Sequence, residues 1–188
     1  MRVDNSTALQ SGQNRNSVRI QSKKRYNGGL FLFDVIHMPT GCSLWPAGET
    51  IVFLRLCSDV LNLSLLAWLT ATDWPAGGEI DFLEGVHKDV FNSMTLHTNP
   101  GCTIDTSRAN PDKGLPVSAN TFTGTVKTSD CNAKANSNTG CSIQDTDGRS
   151  FGSGLNGQQG GVYATHWDTT GVRICTSIIF FPMLVPRG

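Results

Sequence analysis

The sequence predicts an all-β fold, and three observations lead to that prediction. Short apolar runs are separated by glycine, serine, threonine and asparagine at intervals of about eight to twelve residues, a spacing typical of a β-sandwich or a β-barrel. Several of these runs alternate apolar and polar residues, and no segment has a convincing amphipathic helix period. The chain has 188 residues, which is long enough for one domain with a substantial core.

The predicted strands follow from this alternation and from the turn residues between the runs. Residues 17–22 alternate and form the first predicted strand, and a turn at 26–29 leads into a second, mostly buried strand at 29–37. Further strands are predicted at 91–98, 121–128, 162–167 and from 171 onward. The polar stretch 131–161 is predicted to form long loops.

Residues 48–66 do not fit this pattern, because they are far more apolar than their surroundings. The segment also contains Arg55, Asp59 and Asn62. It therefore lacks the uninterrupted apolar run of roughly 20 residues that a transmembrane helix needs. We predict no membrane span here, and a buried helix or a pair of strands are the alternatives.

The charge balance argues against two classes of protein. Only 16% of the residues are charged, and the formal net charge is 0. A nucleic-acid-binding protein is expected to show a basic balance or a basic stripe. A disordered chain is expected to combine high charge with few apolar residues.

The six cysteines indicate an oxidising compartment. Their spacing lacks the paired CxxC pattern of a zinc site, whereas Cys131 and Cys141 flank a loop rich in asparagine, serine and glycine that suits a disulfide. Asn5 and Asn62 each begin a glycosylation triplet. The first ten residues, MRVDNSTALQ, contain no apolar signal-peptide core, so either the protein is cytosolic or this is not its true N-terminus.

Three carboxylates lie within six residues of the segment WPAGGEIDFLEG, at 74–85. In a helix, Glu79 and Glu84 would lie about 140° apart around the axis, and the preceding Gly77 and Gly78 also disfavour a helix. In a strand, Glu79 and Asp81 point to one face because side chains alternate. One β-bulge between Asp81 and Glu84 would return Glu84 to that same face.

Such a set of acids has a specific chemical use in glycoside hydrolysis. Carboxylates on one face repel one another, and this segment has no cation close by. A retaining glycosidase needs two carboxyl groups about 5 to 5.5 Å apart, one ionised as nucleophile and one protonated as acid. A third carboxylate between them can hold the two ionisation states apart. A calcium site or a solvated edge strand are the alternative interpretations.

Five segments make the chain similar to a known family and occur in the family's order. They are SVRIQSKKRYNGGLF at 17–31, HMPTGCSLWPA at 37–47, DWPAGGEIDFLEGV at 73–86, MTLHTNPGCT at 94–103 and GGVYATHW at 160–167. On these motifs the chain resembles glycoside hydrolase family 16, specifically the fungal laminarinase-like endo-β-1,3(4)-glucanases. The resemblance implies a concanavalin-like jelly-roll sandwich of two antiparallel sheets, with a β-glucan lying across the concave sheet.

The resemblance also implies roles for individual residues. Glu79 matches the nucleophile, Asp81 the assisting acid and Glu84 the general acid/base. Because the family is secreted and works without a cofactor, we expect an extracellular monomer that binds β-glucan but neither nucleic acid nor membrane. A structural calcium on the convex face is compatible with the fold, but the sequence offers no ligand cluster to nominate.

Three further residues are candidates for substrate binding. Trp74 matches an aromatic residue that stacks on a sugar ring in the cleft, which suits the apolar face of glucose. Trp68 lies at about the spacing of the family's second aromatic residue, and His97 matches a histidine near the catalytic carboxylates. For Trp74 and His97, the alternatives are core packing or a structural hydrogen bond.

The chain also departs from the family pattern. Residues 48–66 look like an insertion, of the kind that a translated intron would produce, and both ends look short. We therefore expect residues 1–188 to form one incomplete glycoside hydrolase domain that carries this insertion.

Three functions remain open from the sequence. The first is a retaining endo-β-glucanase that cleaves β-1,3 or mixed β-1,3/1,4 glucans, and the second is a cell-wall transglycosylase with the same site. The third is a non-catalytic carbohydrate-binding sandwich. That third function is disfavoured because all three acids are retained.

Overall fold

The computed structural model describes residues 4, 6–14, 16, 26, 28–50, 74–109, 121–169 and 171–177. These residues form eight strands and one short α-helix, besides two single-turn 3₁₀ helices at Thr106–Arg108 and Asn136–Asn138. In chain order the strands and the α-helix are β1 (Gly29–Val35), β2 (Ala47–Thr50), β3 (Glu79–Glu84), β4 (Ser93–His97), β5 (Thr125–Thr128), β6 (Cys141–Gln144), α1 (Gly152–Gly157), β7 (Gly161–Asp168) and β8 (Gly171–Ser177).

The strands form two antiparallel sheets. One has the order β1-β7-β8, and the other has the order β2-β3-β4-β6-β5. In the larger sheet, the acid-bearing strand β3 lies between β2 and β4 and is paired along both edges. The prediction of an all-β architecture is therefore confirmed.

The core lies between the two sheets. Phe82 and Leu83 of β3 pack in one buried cluster with Tyr163 of β7, and Val35 of β1 and Ile174 of β8 pack against that cluster. A second pair from the same two facing strands, Ile80 and Trp167, is buried as well. The acid-bearing strand is thus held by apolar contacts on the face opposite its carboxylates.

Four predicted strands that fall on described residues are found, with shifted ends. The observed bounds are Ser93–His97, Thr125–Thr128, Gly161–Asp168 and Gly171–Ser177. The predicted Cys131–Cys141 disulfide is also confirmed. Within the described ranges, no helix has the length and apolar character needed to cross a membrane.

The prediction that residues 29–37 form a mostly buried strand is wrong on burial. The strand exists as β1, but the side chains of Leu30 and Leu32 are 61% and 56% exposed. Among the described strands β1 pairs only with β7, so it is an edge strand. Both leucines face away from the larger sheet, since alternate residues of β1 point to opposite faces.

The prediction that residues 131–161 form long loops is also wrong in part. Within that range lie β6, which pairs with both β4 and β5, and the helix α1. With four and six residues, β6 and α1 are too short to show a period in the sequence. Strand β6 forms because β4 and β5 supply pairing partners on both of its edges. The predicted strand at 17–22 lies outside the described residues, as does most of the predicted insertion at 48–66, although 48–50 belong to β2.

Candidate active site

A β-bulge in β3 brings the three acids to one face of the larger sheet. Asp81 is opposite Thr95 of β4, and Glu84 is opposite Ser93. Two residues of β3 therefore face the single residue Met94 between these pairs. This is the bulge predicted from the spacing of the acids, and it compensates for the odd number of positions between Glu79 and Glu84.

The acids line an open cleft with a volume of about 440 Å³. The other walls of the cleft come from β4 and β6, from the segment before β2, and from the loops after β3 and before β6. The lining consists of Trp45, Glu79, Asp81, Glu84, Gly85, Val86, Asp89, Ser93, Thr95, His97, Asn138, Thr139 and Ser142. Four carboxylates and a single histidine make this lining strongly acidic.

Each of the two outer acids accepts a hydrogen bond from an indole. Trp74 Nε1 donates to Oε2 of Glu79 over 2.6 Å, and Trp45 Nε1 donates to Oε1 of Glu84 over 2.8 Å. Trp74 is half-buried, whereas Trp45 is 69% exposed at the mouth of the cleft. Because an indole carries a single N–H donor, each contact fixes one oxygen of its carboxyl group.

The middle acid, Asp81, is buried and pairs with the histidine of the neighbouring strand. Its Oδ2 lies 3.2 Å from Nε2 of His97. Burial by itself lowers the pKa of His97, but the hydrogen bond and charge of Asp81, together with the charges of Glu79 and Glu84, raise this pKa above its ordinary value. The imidazole is thus biased toward the cationic form, which offsets part of the negative charge of the site.

The loop before β6 presses closely on this histidine. Gly140 has a positive φ of 65°, and a Cβ atom there would lie 2.5 Å from the carbonyl oxygen of Leu96 and 2.8 Å from Nδ1 of His97. Only glycine fits such a contact. The Cys131–Cys141 disulfide closes this loop, so the wall of the cleft that carries Asn138 and Thr139 is covalently tied.

The sequence-predicted site residues fall into two groups. Five of them, Glu79, Asp81, Glu84, Trp74 and His97, are brought together through the contacts described above. The sixth, Trp68, lies outside the described residues. The stacking of a sugar on Trp74 stays a prediction, while its hydrogen bond to Glu79 is a contact that the sequence did not indicate.

Two residues at the site were missed by sequence reasoning. Trp45 lies in the LWPA segment that carried the family resemblance, so that motif could have signalled it. Asn92 contacts the backbone of β3 at the bulge, through the carbonyl of Phe82 and the N–H of Glu84. No sequence pattern indicated Asn92, because a lone asparagine before a strand is ordinary.

Within the described ranges, no group of three or more histidine, cysteine, aspartate or glutamate side chains is arranged to hold a metal ion. The structure thus adds no ligands to nominate for a structural calcium.

A family model described as "XgeA-like, catalytic GH16 domain" matches residues 1–51 and 66–182 of the chain. The unmatched stretch between these two ranges falls within the segment interpreted above as an insertion.

Curated relatives from fungi are similar to the chain over most of its length. An endo-1,3(4)-beta-glucanase of Arthroderma benhamiae is 38% identical over 92% of the chain, which corresponds to 31% of that protein. A probable glycosidase of Schizosaccharomyces pombe is 33% identical over 92% of the chain and 34% of that protein. The chain therefore spans about a third of the length of these relatives.

Solved structures share the fold. A mutant laminarinase 16A that cyclizes laminariheptaose has a TM-score of 0.71 at 34% identity, covering 94% of this chain and 49% of that one. Laminarinase 16A from Phanerochaete chrysosporium, solved with two β-glucans in its donor and acceptor sites, gives 0.70 at the same identity and coverage. An elongating family 16 β-1,3-glucosyltransferase gives 0.61 at 30% identity, covering 86% of this chain and 44% of that one. These similarities bear out the predicted jelly-roll fold.

Proposed function

The chain belongs to glycoside hydrolase family 16, and from that premise we propose that it is the catalytic part of a retaining endo-β-glucanase. The substrates would be β-1,3 glucans and mixed β-1,3/1,4 glucans. The observation that carries the proposal is the bulged strand β3, which turns Glu79, Asp81 and Glu84 toward one open cleft.

The first half of the reaction forms a glycosyl-enzyme intermediate. A carboxylate oxygen of Glu79 attacks the anomeric carbon, and the glycosidic C–O bond breaks with its electron pair leaving on oxygen. Glu84 donates a proton to that oxygen, which departs as a sugar hydroxyl. The indole of Trp74 holds the attacking carboxylate in place during this step.

The second half releases the sugar. Glu84, now a carboxylate, removes a proton from a water molecule, whose oxygen attacks the same anomeric carbon. The bond to Glu79 breaks, and the product keeps the β configuration after two inversions. Asp81 is paired with His97 and lies between the two outer acids along β3. This pair helps to keep one outer acid ionised while the other is protonated.

The shape of the site suits an internal segment of a polysaccharide. The cleft is open, and the exposed ring of Trp45 at its mouth offers an apolar surface for a glucose unit, as predicted for Trp74. The relatives named as endo-1,3(4)-beta-glucanases support this substrate class. The closed Cys131–Cys141 disulfide supports an extracellular setting, and we expect a monomer that uses no cofactor.

Transglycosylation is the second candidate. The similarity to an elongating β-1,3-glucosyltransferase favours it, because the two reactions differ only in whether water or a sugar hydroxyl attacks the intermediate. Product lengths from a single laminari-oligosaccharide separate them. Hydrolysis yields only shorter products, whereas transfer also yields longer ones.

The decisive test of the reaction class is its stereochemistry. Laminarin or lichenan is digested in an NMR tube, and the anomeric proton of the first product is recorded before mutarotation. A β-anomer appearing first supports the retaining mechanism. An α-anomer appearing first would show an inverting mechanism and would remove Glu79 from its role as nucleophile.

We also propose that the segment predicted as an insertion is foreign to this domain over its unmatched part, residues 52–65, because residues 48–50 belong to β2. The test compares laminarin hydrolysis by the full 188-residue chain with hydrolysis by a variant in which Ile51 is joined directly to Leu66. Activity only after deletion supports the proposal. Activity of the intact chain that disappears on deletion would show that the segment belongs to the working domain.

A further inference from the structure

The bulge in β3 creates a hydrogen-bonding problem beside the catalytic face. A bulged strand leaves backbone groups without ladder partners, and buried backbone groups need a partner to avoid a desolvation penalty. Here the ladder between β3 and β4 is interrupted from Asp81 to Glu84. The residues concerned, Phe82 and Leu83, are both buried.

One side-chain amide spans this interruption. Oδ1 of Asn92 accepts a hydrogen bond from the backbone N–H of Glu84 over 3.0 Å. Its Nδ2 donates to the backbone carbonyl of Phe82, also over 3.0 Å. An amide offers a donor and an acceptor at this short separation, so it can bridge both backbone groups of the bulge.

The amide is itself held in place. Asn92 is 0% exposed, and its own N–H donates to Oγ of Ser150 over 2.9 Å. Its carbonyl accepts from the N–H of Asp145 over 2.8 Å, and the hydroxyl of buried Tyr163 donates to the carbonyl of Ser150 over 2.6 Å. Asn92 is therefore anchored to the loop after β6 and, through Ser150, to the smaller sheet.

We propose that Asn92 is a positioning residue that sets where the carboxyl group of Glu84 lies relative to Glu79. It acts through the backbone, because its side-chain amide bridges the bulge that turns Glu84 into the cleft. We call these two hydrogen bonds, to the N–H of Glu84 and to the carbonyl of Phe82, the clasp. The inference rests on the proposed role of Glu84 as general acid/base.

Loss of the clasp is expected to loosen the bulge without removing it. Phe82 and Leu83 remain packed in the core, and this packing still favours the bulged arrangement. The backbone N–H of Glu84 would, however, lose its hydrogen bond to Asn92. That bond fixes the position from which the side chain of Glu84 extends into the cleft. A displacement of about 1 Å of a catalytic group costs about a hundredfold in rate.

The test uses two substrates that differ in their need for the acid. Laminarin has a poor leaving group and needs a proton from Glu84, whereas a dinitrophenyl β-laminaribioside has a good one and does not. For Asn92→Ala, we expect kcat/KM on laminarin to fall about a hundredfold. On the aryl substrate, whose kcat/KM reports only formation of the intermediate, we expect a change of less than about fivefold.

A matched control comes from a second asparagine that clasps backbone elsewhere. Asn156 accepts from the N–H of Met38 over 2.7 Å and donates to the carbonyl of Met38 over 2.8 Å. Asn156→Ala removes the same kind of bridge away from the cleft. We expect it to leave the ratio of the two kcat/KM values at the wild-type level, even if it lowers the melting temperature.

An isosteric variant keeps the inference testable if the alanine variant does not fold. Asn92→Asp can still accept from the N–H of Glu84, but it donates to the carbonyl of Phe82 only when its carboxyl is protonated. Its laminarin activity relative to wild type at the same pH should therefore rise between about pH 7 and pH 4. A flat or falling ratio would overturn the inference.

The outcomes separate this inference from the proposed function. If Glu84→Gln shows no preference for the aryl substrate, the proposed role of Glu84 is wrong. If Glu84→Gln shows that preference but Asn92→Ala lowers both substrates equally, or lowers neither, Asn92 does not position Glu84. Selective loss on laminarin in both variants supports the inference.

Discussion

The strands β1 and β3 reverse the expectation that apolar segments are buried and acidic segments exposed. In β1, the sequence GLFLFDV is mostly apolar, yet Leu32 is more than half exposed. In β3, the sequence EIDFLE carries three acids, yet Asp81 is 3% exposed and Leu83 is 4% exposed. The difference has two sources. Leu32 points away from the larger sheet, whereas Leu83 points into the core, and β1 is an edge strand whereas β3 is flanked on both sides.

The position of a strand in the sheet, and the face that a residue occupies, decide how much apolar surface that residue buries. On β3, the apolar side chains anchor the strand between the sheets, and the three acids line the cleft from that rigid support. On β1, several apolar side chains bury little surface, and the single acid, Asp34, is exposed. Equivalent substitutions on the two strands should therefore have different consequences.

The largest difference is expected for the acids. Glu79→Gln should lower kcat on laminarin by about 10⁴-fold or more, since it removes the proposed nucleophile and leaves no replacement. Asp34→Asn makes the same chemical change on β1 and should leave kcat within about twofold, because that carboxyl lies outside the cleft. Initial rates from a reducing-sugar assay measure both. Near wild-type activity of Glu79→Gln would rule out its role as nucleophile.

A smaller but clear difference is expected for two leucines. Leu83→Ala should lower the free energy of unfolding by about 2 to 5 kcal/mol, because it leaves a cavity in the core. Leu32→Ala removes the same atoms from an exposed position and should cost less than about 0.5 kcal/mol.

Urea unfolding followed by circular dichroism measures the two leucine variants side by side. Equal costs for both would mean that Leu32 is covered in solution by a surface that the described residues do not include. In that case the difference in exposure between Leu32 and Leu83 would hold only among the described residues.

The smallest expected effect is a pH dependence of stability that originates beside β3. Because the folded-state pKa of His97 is raised, its protonated form contributes stability that is complete below the unfolded pKa of about 6.5. That contribution is lost as the pH rises through the higher folded-state value. The free energy of unfolding should therefore decline with increasing pH in a window that begins near 6.5.

Variants at two histidines locate the source of this decline. His97→Gln should flatten the slope, because it removes the titrating partner of Asp81. His166→Gln is the control, since His166 lies on β7, outside the cleft and 3.6 Å from Asp168. If the wild-type slope persists in His97→Gln, the pH dependence does not come from the pair in the active site.

Much of the candidate site could be predicted from the sequence because it depends on residues that lie close together in the chain. The spacing of Glu79, Asp81 and Glu84 required a bulge if the acids were to share a face, and the bulge is present. The Cys131–Cys141 disulfide was likewise readable from a short polar loop between two cysteines. In each case the partners lie within about ten residues, so few other conformations compete.

The features that were missed depend on how separate parts of the chain pack together. Strand β6 has only four residues, and it exists because β4 and β5 supply hydrogen bonds on both edges. Asn92 lies only eight and ten residues from the backbone groups that it contacts in β3, but it reaches them only because the chain folds back after that strand. Its anchor Ser150 lies 58 residues further along the chain, beyond the reach of any local pattern.

The sequence by itself determined the all-β class, the face shared by the three acids and the short disulfide loop. These properties follow from side-chain alternation and from contacts between near neighbours, which the order of residues dictates directly. Only the tertiary structure decided that β1 lies at an edge, that the indole of Trp45 reaches Glu84, and that Ser150 anchors Asn92 beside the bulge. Burial and long-range hydrogen bonds depend on which strands become neighbours, and that choice is made by the packing of the whole domain.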